Sequence, residues 1–216
     1  MPLIYGLLKY TDLKITPPIT LRAEIPATKL ISAKNRFGTM VGDKRIHGAT
    51  MGFTTIVCPE GQPDCASPQP AIGVMVTGNR DTNKWRLDIY FHGFYTPQVT
   101  GFFFDLFDFG KETDLVIDLT FRDTWITVTV NGKEVFSSDM LKKFEQIREI
   151  QGGNYFYDQT HTAIQQAADG ILAFNLKIMT PIDISGIASS ILPYAVAVAV
   201  VGAVIALVTR LLRRPA

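Results

Sequence analysis

Period-two alternation of apolar side chains dominates residues 70–136, and a chain can use that repeat only where successive residues face opposite sides of an extended strand. In KWRLDIYFHGF, Trp85, Leu87, Ile89 and Phe91 share one face, and Arg86, Asp88, Tyr90 and His92 share the other. DLVIDLTF repeats the pattern with Leu115, Ile117, Leu119 and Phe121. Ile126, Val128 and Val130 continue it up to Asn131-Gly132, a pair that tolerates φ > 0 and so predicts a two-residue turn into a returning strand from Lys133 to Phe136. Further strands are expected at Ala71 to Thr77 and Ile171 to Ile178, with two to four more in the first 60 residues. One helix is expected after Ser138, with Asp139 at its positive end and Met140, Leu141, Phe144, Ile147 and Ile150 as its apolar stripe. A second, short helix is expected over Thr162 to Ala168. Together these predict a mainly β fold, an antiparallel, jelly-roll-like β-sandwich over residues 1–180 with one or two short helices.

Composition narrows the class. Fourteen Phe, seven Tyr and two Trp exclude a disordered chain, and two Cys exclude a disulfide framework. The net charge of +1 conceals an asymmetry: residues 1–209 hold 18 basic against 20 acidic residues, net −2, whereas the last seven hold Arg210, Arg213 and Arg214 and no acid. An acidic body is not that of a nucleic-acid-binding domain, so only the tail is expected to touch a polyanion, lipid phosphate or nucleic acid.

Residues 184–209 run without a charge, and as a helix they would reach about 39 Å, enough to cross a hydrocarbon core about 30 Å thick. This predicts a single C-terminal transmembrane helix (181–209) followed by a basic tail (210–216). Pro193 should bend it. Gly186, Ala195, Ala199, Gly202, Ala203 and Ala206 offer small side chains for close approach of another helix. The N-terminus shows no basic n-region and no cleavage site, so the anchor is the one membrane signal.

Residues 72–138, and above all VIDLTFRDTWITVTVNGKEVF with its VNGK hairpin, resemble concanavalin-like β-sandwiches, including laminin-G-type and galectin-like modules, and share the look of viral jelly rolls. The resemblance implies architecture. Concanavalin-like glucanases carry Glu, Asp and Glu at near-alternate positions of one strand. Here GFFFDLFDFG places Asp105 and Asp108 three apart with no glutamate nearby, which predicts opposite faces and no catalytic pair.

No nucleophile, P-loop or dinucleotide string is present, and His47, His92 and His161 lack metal-ligand spacing, so no enzyme, metal or cofactor is expected. Cys58 and Cys65 bracket PEGQPD and either form a disulfide, adding about 2 to 3 kcal/mol, or remain free thiols. Trp85, Trp125, Phe103 and Phe107 are the candidate contacts for a ligand or partner. The leading functional expectation is a structural, membrane-anchored coat protein, its body standing outside an internal virion membrane among copies of itself and other coat or membrane subunits. The alternatives are a membrane-anchored glycan-binding module and an accessory subunit of a membrane complex.

Overall fold

The computed structural model describes residues 6–61, 70–93, 100–164 and 174–180. The chain divides into Met1–Thr180 and Pro181–Ala216, and the second part lies outside the described residues. The expected transmembrane helix, its small residues, Pro193 and the three tail arginines therefore lie outside them. Among the described residues no helix is long and apolar enough to cross a membrane.

Fourteen strands and one helix are described: β1 (Gly6–Tyr10), β2 (Ile19–Ile25), α1 (Ala27–Lys34), β3 (Met40–Val41), β4 (Lys44–Arg45), β5 (Gly48–Pro59), β6 (Ala71–Asn79), β7 (Lys84–His92), β8 (Thr100–Asp108), β9 (Leu115–Arg122), β10 (Trp125–Val130), β11 (Lys133–Asp139), β12 (Phe144–Tyr157), β13 (Ala163–Ile164) and β14 (Asn175–Met179). They form a seven-stranded antiparallel sheet, β1-β12-β5-β6-β7-β8 with β13 beside β12, and a five-stranded one, β11-β10-β9-β2-β14; β3 and β4 make a small ribbon. The inward faces meet in one apolar core. Leu21, Ile117, Leu119, Phe121, Ile126 and Val128 of the smaller sheet pack with Met51, Phe53, Val74, Leu87, Ile89 and Phe91 of the larger. The fold is thus the expected mainly β, antiparallel sandwich.

The expected hairpin is present: Val130 pairs with Lys133, and Asn131 and Gly132 both take positive φ, at 49° and 78°. Asn131 also ties the turn to the start of β9, accepting the Val116 amide on Oδ1 at 2.8 Å and donating from Nδ2 to the Asp114 carbonyl at 3.1 Å.

The helix expected after Ser138 is instead the end of β11, a turn, and the long strand β12. Its three-residue apolar spacing has a different cause. β12 pairs with β5 through two register shifts, between Phe144 and Gln146 and between Ile147 and Glu149, each of which adds a residue to β12. The extra residues let Phe144, Ile147 and Ile150 all face the core from an extended backbone, and all three are buried. Leu141, assigned to the same stripe, is 84% exposed in the turn. Of the second expected helix, Ala163 and Ile164 are strand and the remainder from residue 165 lies outside the described residues.

The helix that does form, α1, lies where only strands were expected. Pro26 stands at its N-cap and gives no side-chain cap. The Ala27 amide instead donates to Asp114 Oδ1 at 2.8 Å, and Leu30 and Ala33 face the core. The helix start is therefore satisfied by a carboxylate distant in sequence.

Candidate functional site

On the outer face of the seven-stranded sheet, strand register brings residues from distant parts of the chain into rows. Tyr155, Thr50, Thr77, Arg86 and Asp105 form one row across β12, β5, β6, β7 and β8, and Gly153, Gly52, Met75, Asp88 and Phe103 form the next. Over these rows opens a cleft of about 500 Å³. Tyr155, Tyr157, His161 and Ala163 line one side, Lys84, Arg86 and Tyr90 the other, with Asn79 and Thr82 at one end and Thr50, Thr77 and Asp88 at the base.

Asp88 is 1% exposed. Tyr90 donates its hydroxyl to Asp88 Oδ2 at 3.2 Å, and Arg86 donates from Nη2 to the same oxygen at 3.3 Å. Arg86 Nε lies 2.7 Å from Asp88 Oδ1, an ion pair whose angle is too bent for a hydrogen bond. Burial pushes the Asp88 carboxyl above its ordinary value, against the opposing hydrogen bond of Thr77 and charge of Arg86. Burial likewise raises the phenols of Tyr90, Tyr155 and Tyr157, so at neutral pH all three keep the proton and can donate. Tyr157 donates to the Gly78 carbonyl at 2.9 Å. It lies over Gly48, where a Cβ would fall 2.1 Å from its ring, so only glycine leaves room for it.

His161 sits within the loop held by Asp158, whose carboxylate accepts the Thr160 hydroxyl at 2.6 Å and the amides of Thr160 and Thr162. The Thr160 hydroxyl above all brings the Asp158 carboxyl down to about 2. The His161 ring stands 5.2 Å from that of Tyr157.

The candidate ligand contacts scatter. Trp85 is fully buried, donating from Nε1 to Glu112 Oε1 at 3.4 Å, and cannot meet a ligand because it shares the inward face of β7 with Leu87 and Ile89. Phe107 pairs with Trp85 and packs on the core. Trp125 is 50% exposed but belongs to the five-stranded sheet, away from the cleft. Only Phe103 shares the face of the cleft, 54% exposed with the Arg86 guanidinium carbon 4.6 Å from its ring centre. The residues that build the cleft from β7 were legible as the polar half of its alternation. Tyr155 and Tyr157 were missed because the stretch read as helix ends before them. Cys58 is disulfide-bonded at the end of β5; Cys65 lies outside the described residues.

Asp105 and Asp108 do not face opposite ways. Arg86 pairs with Asp105 and Lys84 with Asp108, because a register shift at Trp85/Arg86 adds a residue to β8 between them. Lys84 and Arg86 share a face, so the two carboxylates do too; Lys84 Nζ contacts Asp105 Oδ2 at 2.6 Å and Lys111 Nζ contacts Asp108 Oδ2 at 3.3 Å.

No protein-family model matches the sequence, and no curated protein does. Among solved structures the chain is similar to a β-1,3-1,4-glucanase (lichenase) derived from a mouse hindgut metagenome, at 16% identity over 79% of this chain and 66% of that one, TM-score 0.42. It is similar to an endo-β-1,3-glucanase from Pyrococcus furiosus at 12% identity over 79% and 61%, TM-score 0.47. It is similar to sheep galectin-11 at 5% identity over 83% and 99%, TM-score 0.41. The chain thus spans 66% and 61% of the two glucanases' lengths. These are concanavalin-like sandwiches, as the resemblance of residues 72–138 implied. The expectation of no enzymatic activity is corrected by the same finding: glycoside hydrolases stand among the solved structures to which the chain is similar. One of its grounds, the opposed aspartates, falls as well.

Proposed function

We propose that the sandwich binds a glycan in the cleft on its seven-stranded sheet. The observation that carries this reading is the lining. Thr50, Thr77, Thr82, Tyr90, Tyr155 and Tyr157 set six hydroxyls around one cavity, and tyrosine rings stand on both of its sides. A sugar presents hydroxyls around its edge and C–H groups on its faces, so it needs paired donors and acceptors together with aromatic surfaces. A cavity of about 500 Å³ falls within the usual range for small-ligand sites.

The uncharged run 184–209 supports tethering of this module to a bilayer, with Arg210, Arg213 and Arg214 at the lipid phosphates. The coat-protein expectation draws its support from the same two segments, whereas the cleft favours the glycan-binding alternative.

The test is titration calorimetry of the full chain, in detergent, against a panel of neutral and charged oligosaccharides, followed by Tyr155→Ala. Binding to a member of the panel that Tyr155→Ala weakens at least about tenfold, the loss of one stacked ring with its hydrogen bond, is expected. No heat with any member overturns the proposal.

A further inference from the structure

The charge a ligand meets in the cleft differs from the charge the cleft contains. Four groups with charge or basic character line it: Lys84, Arg86, Asp88 and His161. The side chains of Lys84 and Arg86 are each 43% exposed, whereas that of Asp88 is 1% exposed. The carboxylate therefore lies beneath the guanidinium, neutralising it from the protein side, and the solvent side presents cations.

Arg86 is also held in place. Asp88 engages its Nε and Nη2, and the ring of Phe103 stacks against it at 4.6 Å. A guanidinium fixed in this way has lost little freedom still to be lost on binding, and its remaining amino group, Nη1, is free to donate to an anion. Lys84 is the next residue on the same face. Its partner Asp105 is 65% exposed and lies on β8 outside the cleft, and an ion pair so open to water exchanges readily for another anion. The other carboxylates nearby are engaged elsewhere, Asp108 of β8 with Lys111 at 3.3 Å, Asp81 with His47 at 2.7 Å and Asp158 with Lys44 at 3.4 Å.

We infer that the glycan held in this cleft carries an anionic group, carboxylate or sulfate, received by Arg86 and Lys84. This rests on the glycan-binding reading above. Neutral sugars would be held by the hydroxyls and rings alone, and the exposed cations would give them nothing beyond ordinary hydrogen bonds.

Three probes of equal length separate the cases in calorimetry on the full chain: trigalacturonate, a trisaccharide bearing one sulfate, and cellotriose. An anionic probe is expected to bind at least about tenfold tighter than cellotriose, the increment of one charge-assisted hydrogen bond, and the better of the two identifies the anion. In Lys84→Gln, and in the double variant Arg86→Gln with Asp88→Asn, that ratio should fall toward one. The double change removes both charges together and leaves no unpaired carboxylate, and Lys84→Gln carries the test if the double variant fails to fold. Equal affinities for all three probes, or a ratio untouched by Lys84→Gln, overturn the inference and leave the glycan reading standing. Binding of none removes both.

Discussion

Gly132 offers a clean separation of backbone strain from packing. An ideal Cβ built there meets no atom within 4 Å, so a side chain starts into open space and its cost is expected to come from the backbone at φ 78°. A non-glycine L-residue pays about 1 to 2 kcal/mol in the left-handed region, asparagine less, and a β-branched residue more. We expect Gly132→Asn to cost about 0.5 kcal/mol, Gly132→Ala about 1 to 2, and Gly132→Val about 2 to 3. For a domain of this size each kcal/mol lowers Tm by about 2 to 4 °C. Urea unfolding followed by circular dichroism should show midpoints falling in that order with an unchanged slope, since the surface exposed on unfolding stays the same. A Val variant as stable as the parent would refute the two-residue turn. An Asn variant as unstable as Val would place the cost in side-chain contact and refute the strain argument.

Three further outcomes are expected. Ile147→Ala, in the bulged part of β12, should destabilise by about 2 to 4 kcal/mol, whereas Leu141→Ala should stay within about 0.5 kcal/mol; a helix there would make the two comparable, and chemical denaturation distinguishes them. Asp158 has a folded-state carboxyl at about 2, below its unfolded value, so its contribution to stability is present above the unfolded value and lost as pH falls through about 2. Asp158→Asn should therefore flatten the stability profile between pH 4 and pH 2, and an unchanged acid limb in thermal melts would show that the loop hydrogen bonds do not act on folding. Finally, every described strand ends before Thr180, so residues 1–183 alone should keep their β-sheet circular dichroism and their glycan binding, and an insoluble or unfolded product would refute an autonomous sandwich.

Alternation and turn chemistry are local, and where they ruled, neighbouring residues alone set the outcome. Inward Trp85, Leu87, Ile89 and Phe91, the β9–β10 pair, and the Asn131-Gly132 hairpin follow from period two and from a backbone that must reach positive φ. The polar face of β7, with Arg86, Asp88 and Tyr90, was readable for the same reason. Three features were decided by the partner strand or a distant residue. The bulges of β12 exist only against β5, and they turn a helix-like spacing into a strand with three buried apolar residues. The bulge of β8 exists only against β7, and it swings Asp105 and Asp108 to one side. The start of α1 depends on Asp114, remote in sequence, so no local cap announces it. The cleft belongs to the same class. Its rows join β12, β5, β6 and β7, and no local pattern in any one strand encodes the register that sets Tyr155 beside Thr50 and Thr77 beside Arg86. Side-chain period is a property of one strand, whereas register is a property of two, and only the folded sheet brings the two together.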